Sequence, residues 1–197
     1  MSVTVLVLLG LALAVFFWGV GAYNRLVRLK NTIANAFGQI DVQLKRRYDL
    51  IPNLVEAAKK YLQHESSTLE AVIAARNQAR SAVDTVRSRP NQADGVIALA
   101  AAEQALSGSL GRLFALAEAY PELKADQTIR ELSEELTSTE NKVGFARQAY
   151  NDAVLDYNNA QGQFPALLVA RLFSFSPSAM LQSTESAAER QTLRIQM

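Results

Sequence analysis

The chain of 197 residues contains no cysteine. That absence excludes disulfides and thiolate chemistry, but it leaves the compartment open. A single histidine, His64, argues against a histidine-based metal site within one chain and leaves no plausible Ser-His-Asp set. Nine glycines form no phosphate-binding loop, since Gly108 and Gly111 fall inside a helical period. Runs of alternating β-branched residues are absent, so no strand is predicted. A formal net charge of +1 gives no reason to expect a nucleic-acid partner. The most consequential absence is local. Between Val3 and Ala22 no side chain is charged, and Thr4 is the only clearly polar one.

Twenty helical residues rise about 30 Å, the thickness of a bilayer's hydrocarbon core. Twelve Leu, Val and Phe residues in this run favour insertion by about 4 to 7 kcal/mol. A secretory signal peptide needs a basic segment ahead of the run, which Met1-Ser2 does not supply. A lipoprotein anchor needs a cysteine. Twenty residues apolar on every side also exceed what a small bundle encloses. The run therefore predicts a single-pass anchor over residues 1–23, with the lipid bilayer as partner and the cell (inner) membrane as location. Arg25, Arg28 and Lys30 follow the run directly. The positive-inside rule then puts the rest of the chain in the cytoplasm and the N-terminus outside.

The remainder reads as one all-α domain. Each of the five prolines, Pro52, Pro90, Pro121, Pro165 and Pro177, reads as a helix boundary. Past the anchor, Leu26, Leu29, Ile33, Phe37, Ile40, Leu44, Tyr48 and Ile51 step by three and four in an eleven-residue rhythm, which favours straight packing over a left-handed coiled coil. A first helix is expected to end near Asp49. Asp49 would then cap a second helix with Pro52 in its first turn, and a break is expected near His64, where Ser67-Thr68-Leu69-Glu70 resembles a capping box. Ser88 to Gly95 reads as the clearest loop. A third helix carries Leu99, Leu106, Leu110 and Leu113 and stops at Tyr120-Pro121. Thr128-Ile129-Arg130-Glu131 reads as a second capping box, opening a helix that Gln161 to Pro165 ends. The expected architecture is an N-terminal transmembrane helix continuing into an antiparallel bundle of about four long helices over 24–164, with an apolar then polar tail over 165–197.

Charged motifs offer little chemistry. Lys45-Arg46-Arg47 is expected to be a solvated face beside Asp49, too far along the helix to touch headgroups. His64-Glu65 points in two directions on a helix. Glu134, Glu135 and Glu140 lack the Glu-x-x-His partners of a diiron bundle, and Glu131 with Glu135 reads as a solvated strip. No catalytic, cofactor-binding or metal-ligating residue is predicted. Asp41, Lys45 and Asp49 recur on one face, where ion pairs are expected. Arg46 with Asn53, or Arg47 with Glu56, would tie the first two helices across a corner. The segment Phe164 to Phe175, with Arg171 its only charge, would either seal one end of the bundle or dock on a neighbouring subunit or a lipid surface.

The block Asp41-Val42-Gln43-Leu44-Lys45-Arg46-Arg47-Tyr48-Asp49-Leu50-Ile51-Pro52-Asn53-Leu54-Val55-Glu56 resembles the signature of the LemA family. So do Tyr120-Pro121-Glu122-Leu123-Lys124-Ala125, Thr139-Glu140-Asn141, Ala146-Arg147-Gln148-Ala149-Tyr150-Asn151 and Tyr157-Asn158, in order and spacing over nearly the whole chain. The resemblance implies a bacterial-type membrane protein with a helical bundle and an N-terminal span, no established enzymatic activity or cofactor, and relatives that take part in membrane-organelle formation. The tail departs somewhat: Phe173-Ser174-Phe175-Ser176-Pro177 carries serines where the family often shows Gly and Lys.

The residues and the resemblance together lead to the expectation of a non-enzymatic, membrane-anchored scaffold or assembly protein that self-associates through helical surfaces. The alternative is an adaptor for a membrane protease or signalling partner. Near the membrane, Leu26, Ile33 and Phe37 are expected to form the interface of a homo-oligomer, because the other helices of the same chain would not reach so close to the bilayer. From Ile40 onward the stripe is expected to be core.

Overall fold

The computed structural model describes residues 2–90 and 92–181. Of the predicted tail, residues 182–197 therefore lie outside it, as does Asn91 of the predicted loop. The described residues form six helices: α1 Val3–Lys59, α2 Ser66–Ser88, α3 Ala93–Ala117, α4 Pro121–Ala125, α5 Gln127–Gly162 and α6 Ala166–Leu172. No strand occurs among them.

α1 is one helix of 57 residues that carries two apolar surfaces, one after the other. Its first part is long and apolar enough to cross a membrane, and among the described residues none buries it. Its second part presents the predicted stripe, with Leu26, Ile33, Phe37, Ile40, Leu44, Tyr48 and Ile51 buried. α5 runs antiparallel along this stripe, so that the end of α5 meets Leu26 and its start meets the turn after α1. α2 and α3 form a hairpin laid on the outer half: Arg87 pairs with Asp41 and Arg76 with Tyr48, which sets α2 antiparallel to α1. The core runs from Ile33 to Leu62 among α1, α2, α3 and α5.

Three expectations need correction. The first helix does not end at Asp49. The stripe continues in phase as Ile51, Leu54 and Ala58, and Pro52 stands inside α1. A proline at that position removes the amide that would bond the carbonyl of Tyr48, four residues earlier. The Arg76 guanidinium takes its place, its Nε donating to the Tyr48 carbonyl at 3.0 Å. Asp49 is exposed in mid-helix and caps nothing. The ion pairs of this block go elsewhere too: Asp41 to Arg87 and Arg46 to Glu135, rather than across a corner between residues 46 and 56.

The second correction concerns caps. α2 begins at Ser66 with no side-chain cap. α5 is capped by Asp126, whose Oδ1 accepts from the amides of Thr128 and Ile129, and not by Thr128. Lys60 Nζ and Tyr61 Oη both donate to Asp126 Oδ2 at 2.8 Å. Those bonds, with the helix amide, hold the Asp126 carboxyl well below the usual carboxylate range. The connections at the tip far from the apolar run are thereby pinned to each other.

The third correction concerns Leu26, Ile33 and Phe37, which are 1%, 0% and 3% exposed within a single chain. They cannot serve as the interface between copies that the sequence suggested. The helices do reach this height: Ala160 of α5 and Val169 and Ala170 of α6 close over Leu26, with Phe175 packed beside them. The apolar tail thus seals this end of the bundle.

The proline site gives a sharp test. Arg76→Ala leaves a helix carbonyl without its donor and is expected to lower stability by about 1–3 kcal/mol, measured by equilibrium unfolding in mild detergent. In a Pro52→Ala background the restored amide takes the Tyr48 carbonyl, and Arg76→Ala should then lose most of its effect. Equal losses in both backgrounds would show that Arg76 acts some other way.

Candidate functional site

Two arrangements of polar side chains stand out from the apolar packing. The first lies midway along the bundle. Arg47 is 4% exposed, although its neighbours Lys45 and Arg46 are exposed, so the expectation of a solvated basic face fails at this residue. Its Nη1 donates to Glu103 Oε2 at 2.9 Å and its Nη2 to Ser107 Oγ at 3.0 Å. Glu140, more than half exposed, lies 3.7 Å from Nη2. Tyr48 Oη donates to the other Glu103 oxygen. The cluster thus links α1 to α3 and reaches α5.

Burial raises the Glu103 carboxyl above its ordinary range, and the Arg47 charge with the Tyr48 hydrogen bond only partly offsets this. Burial first, and the Glu103 charge second, push the Tyr48 phenol far upward. Both carboxylate oxygens are engaged. The adjoining cavity of about 50 Å³, lined by Ile40, Leu99, Val143 and Arg147 among others, has room for water but not for a drug-sized ligand. Chemically, the cluster is a cross-link: a charge pair held by two neutral hydroxyls. Glu103 escaped the sequence reading, yet it had a signal. It falls in the α3 stripe between Leu99 and Leu106, a lone carboxylate on an apolar face.

The second arrangement holds the tail. After α6 the chain turns at Ser174, whose φ of 54° is left-handed. The Phe175 amide bonds the Ala170 carbonyl and the Ser174 amide bonds the Arg171 carbonyl, the six-to-one and five-to-two pair that usually employs glycine at this position. The tail then runs back along α5, where side chains read its backbone. Asn158 Nδ2 donates to the Ser178 carbonyl while its Oδ1 accepts the Ser178 amide, both at 2.9 Å. Asn151 does the same for Leu181, again at 2.9 Å. Tyr157 Oη donates to the Ser176 carbonyl and Tyr150 Oη to that of Ala179. Burial pushes the Tyr150 phenol up to about 12.

The register follows from geometry. Tyr-Asn recurs after seven residues, a helical rise of about 10.5 Å, and Ser178 to Leu181 covers about 10 Å of extended chain. The clamp recognises only main chain, and the buried Ser178 hydroxyl is left with no partner. The doublets Tyr150-Asn151 and Tyr157-Asn158 were visible in the sequence; that their amides act as a strand edge was not.

His64 sits exposed in the turn between α1 and α2. Among the described residues no group of three His, Asp or Glu side chains is placed to hold a metal ion. Glu135 pairs with Arg46, and Glu140 approaches Arg47.

Both arrangements can be tested. Glu103→Ala strands a buried guanidinium and is expected to cost about 3–5 kcal/mol. The combined change Arg47→Met, Tyr48→Phe and Glu103→Leu should cost less than that single change, as read by the same unfolding measurement. For the clamp, Asn158→Ala should speed hydrogen exchange at the Ser178 amide well before it affects buried amides of α1. Unchanged exchange at Ser178 would show that the side-chain amide does not hold the tail.

These features lie largely in the segments whose resemblance was noted above: Arg47, Tyr48 and Pro52 in the first block, Glu140 in the third, and the two Tyr-Asn doublets. The LemA family model matches residues 36–197. The protein LemA of Metamycoplasma hominis is 26% identical over 170 residues, covering 86% of this chain and 73% of the relative. With a match across most of its length, from the second part of α1 through the tail, the chain belongs to the LemA family.

Proposed function

We propose that this chain is a membrane-anchored scaffold, without enzymatic activity of its own, that self-associates and presents its bundle at a fixed attitude to the bilayer. The observation that carries this reading is the continuity of α1. The apolar run and the core stripe belong to one unbroken helix, so there is no flexible linker between anchor and domain. A tethered enzyme that must reach diffusing substrates gains from a linker, whereas an assembly that must register with its neighbours gains from a rigid joint. With Leu26, Ile33 and Phe37 enclosed, self-association falls to apolar side chains that the bundle leaves outside, of which Phe145 on α5 is 75% exposed.

A second reading, as an adaptor for a membrane protein, is favoured by one feature. At the tip farthest from the apolar run, Val55, Leu62, Leu69 and Ile73 line an open groove of about 620 Å³ between α1 and α2, large enough for a partner's side chains. The basic residues Arg25, Arg28 and Lys30 support a cytoplasmic bundle in the inner membrane.

Sizing the protein in mild detergent separates the two. A scaffold runs as a homo-oligomer by itself, and Phe145→Asp reduces its size without lowering its melting temperature. An adaptor runs as a monomer and enlarges only with a co-purifying partner. Orientation is read from Ser81→Cys in the otherwise cysteine-free chain: a membrane-impermeant maleimide should label it after lysis and not in intact cells.

A further inference from the structure

The short helix α6 buries Val169 and Ala170 against α1 and α5. A helix packed on a water-facing bundle normally turns polar side chains outward. α6 does not: Leu168 and Leu172, one turn apart, are 56% and 76% exposed, and Phe164 and Phe173 at its two ends are 81% and 55% exposed. Its one charged side chain is Arg171.

The position of this face supplies what covers it. Phe164, Pro165 and Ala166 line a recess together with Trp18, Gly21 and Ala22, residues within the apolar run of α1. At the other end of α6, Phe173 and Phe175 pack edge-on against Tyr23, with ring centroids 4.8 and 5.6 Å away. The exposed apolar face of α6 is therefore continuous with the exposed apolar surface of the run, at the height of its last turns. Trp and Tyr are the side chains that favour the membrane–water boundary. Charge agrees as well. Neither α1 before Asp41 nor the segment 163–181 contains a carboxylate, while Arg25, Arg28, Lys30 and Arg171 are all basic. A long basic side chain can lie along apolar surface and keep its head in the headgroup layer.

We propose that α6 and the turn before it form a second membrane contact, lying in the bilayer interface with Phe164, Leu168, Leu172 and Phe173 toward the acyl chains. The chain then grips the lipid surface at two points, a spanning helix and an interfacial one, and the bundle cannot swivel freely about the first. The contact is peripheral and of the kind that amphipathic helices make. It rests on reading residues 3–22 as a span, and the test keeps the two apart.

Single cysteines at Leu168→Cys, Leu172→Cys, Leu11→Cys and Ser81→Cys are labelled with an environment-sensitive fluorophore. The full chain is reconstituted in vesicles of phosphatidylcholine and phosphatidylglycerol without bromine, with lipid brominated near the headgroup end of its acyl chains, or with lipid brominated deep in them. Retained helicity in each variant is checked by circular dichroism. The expected result is quenching at positions 168 and 172 at least twofold greater than at position 81. Quenching at 168 and 172 no greater than at 81, in vesicles where position 11 is quenched, would overturn the interfacial contact and leave the span standing. Quenching at 168 and 172 without quenching by deep-brominated lipid at position 11 would remove the span, and would overturn α6 as a second contact while leaving it as the first. Shielding of 168 and 172 from both bromine and aqueous iodide would mean that a second copy covers the face, and would also overturn the proposal.

Discussion

The carbonyl of Tyr48 loses the amide that would ordinarily meet it, because the residue four places on is Pro52, and a guanidinium from α2 meets it instead. An unmet carbonyl inside a packed helix costs about 1–3 kcal/mol, and a mid-helix proline commonly ends the helix there. With Arg76 in place the helix continues, and two further turns of stripe stay in phase with the core. The rest of the bundle depends on that continuity. α5 needs an unbroken surface to lie along, the α2–α3 hairpin docks on the outer half of the same helix, and the turn that follows α1 can then meet Asp126 at the start of α5. Had α1 broken at Asp49, the tip would have faced a different direction from the apolar run.

How much of this was legible in the sequence varies with the distance over which each residue acts. The stripe from Leu26 to Ile51 was readable because it follows from helical spacing alone, as was the helix boundary at Tyr120-Pro121. Pro52 was misread because the rule for prolines is local, whereas its compensation comes from Arg76 on another helix. The same holds for Arg47, whose charged neighbours made it look solvated while its partner Glu103 lay in α3. The cap of α5 was misplaced by two residues: Thr128 to Glu131 fits the capping-box pattern, but Asp126 takes the Thr128 and Ile129 amides while Lys60 and Tyr61 hold its other oxygen. The covering of Leu26 and Ile33 was assigned to another copy because nothing in the spacing reveals that the tail folds back.

The polar side chains buried in this fold do positional work. Arg47 and Tyr48 on α1 both bond Glu103 on α3, and so tie the two helices to each other at one height. Asn151, Asn158, Tyr150 and Tyr157 fix the tail by its backbone at two heights separated by two helical turns. Held there, the tail carries α6 to Leu26 and the last turns of the apolar run. A chain of contacts thus leads from the middle of the bundle to the end of the apolar run.

Once the apolar run is seated in a bilayer, α1 becomes a lever. The part from Tyr23 to Lys59 projects about 55 Å from the lipid surface at 1.5 Å per residue. Spanning helices tilt by about 20° to match the thickness of the bilayer around them. A tilt of that size, taken from upright, would swing the tip sideways by about 19 Å while lowering it by only about 3 Å. With no hinge along α1, a small change in membrane thickness becomes a large lateral displacement at the far end of the molecule.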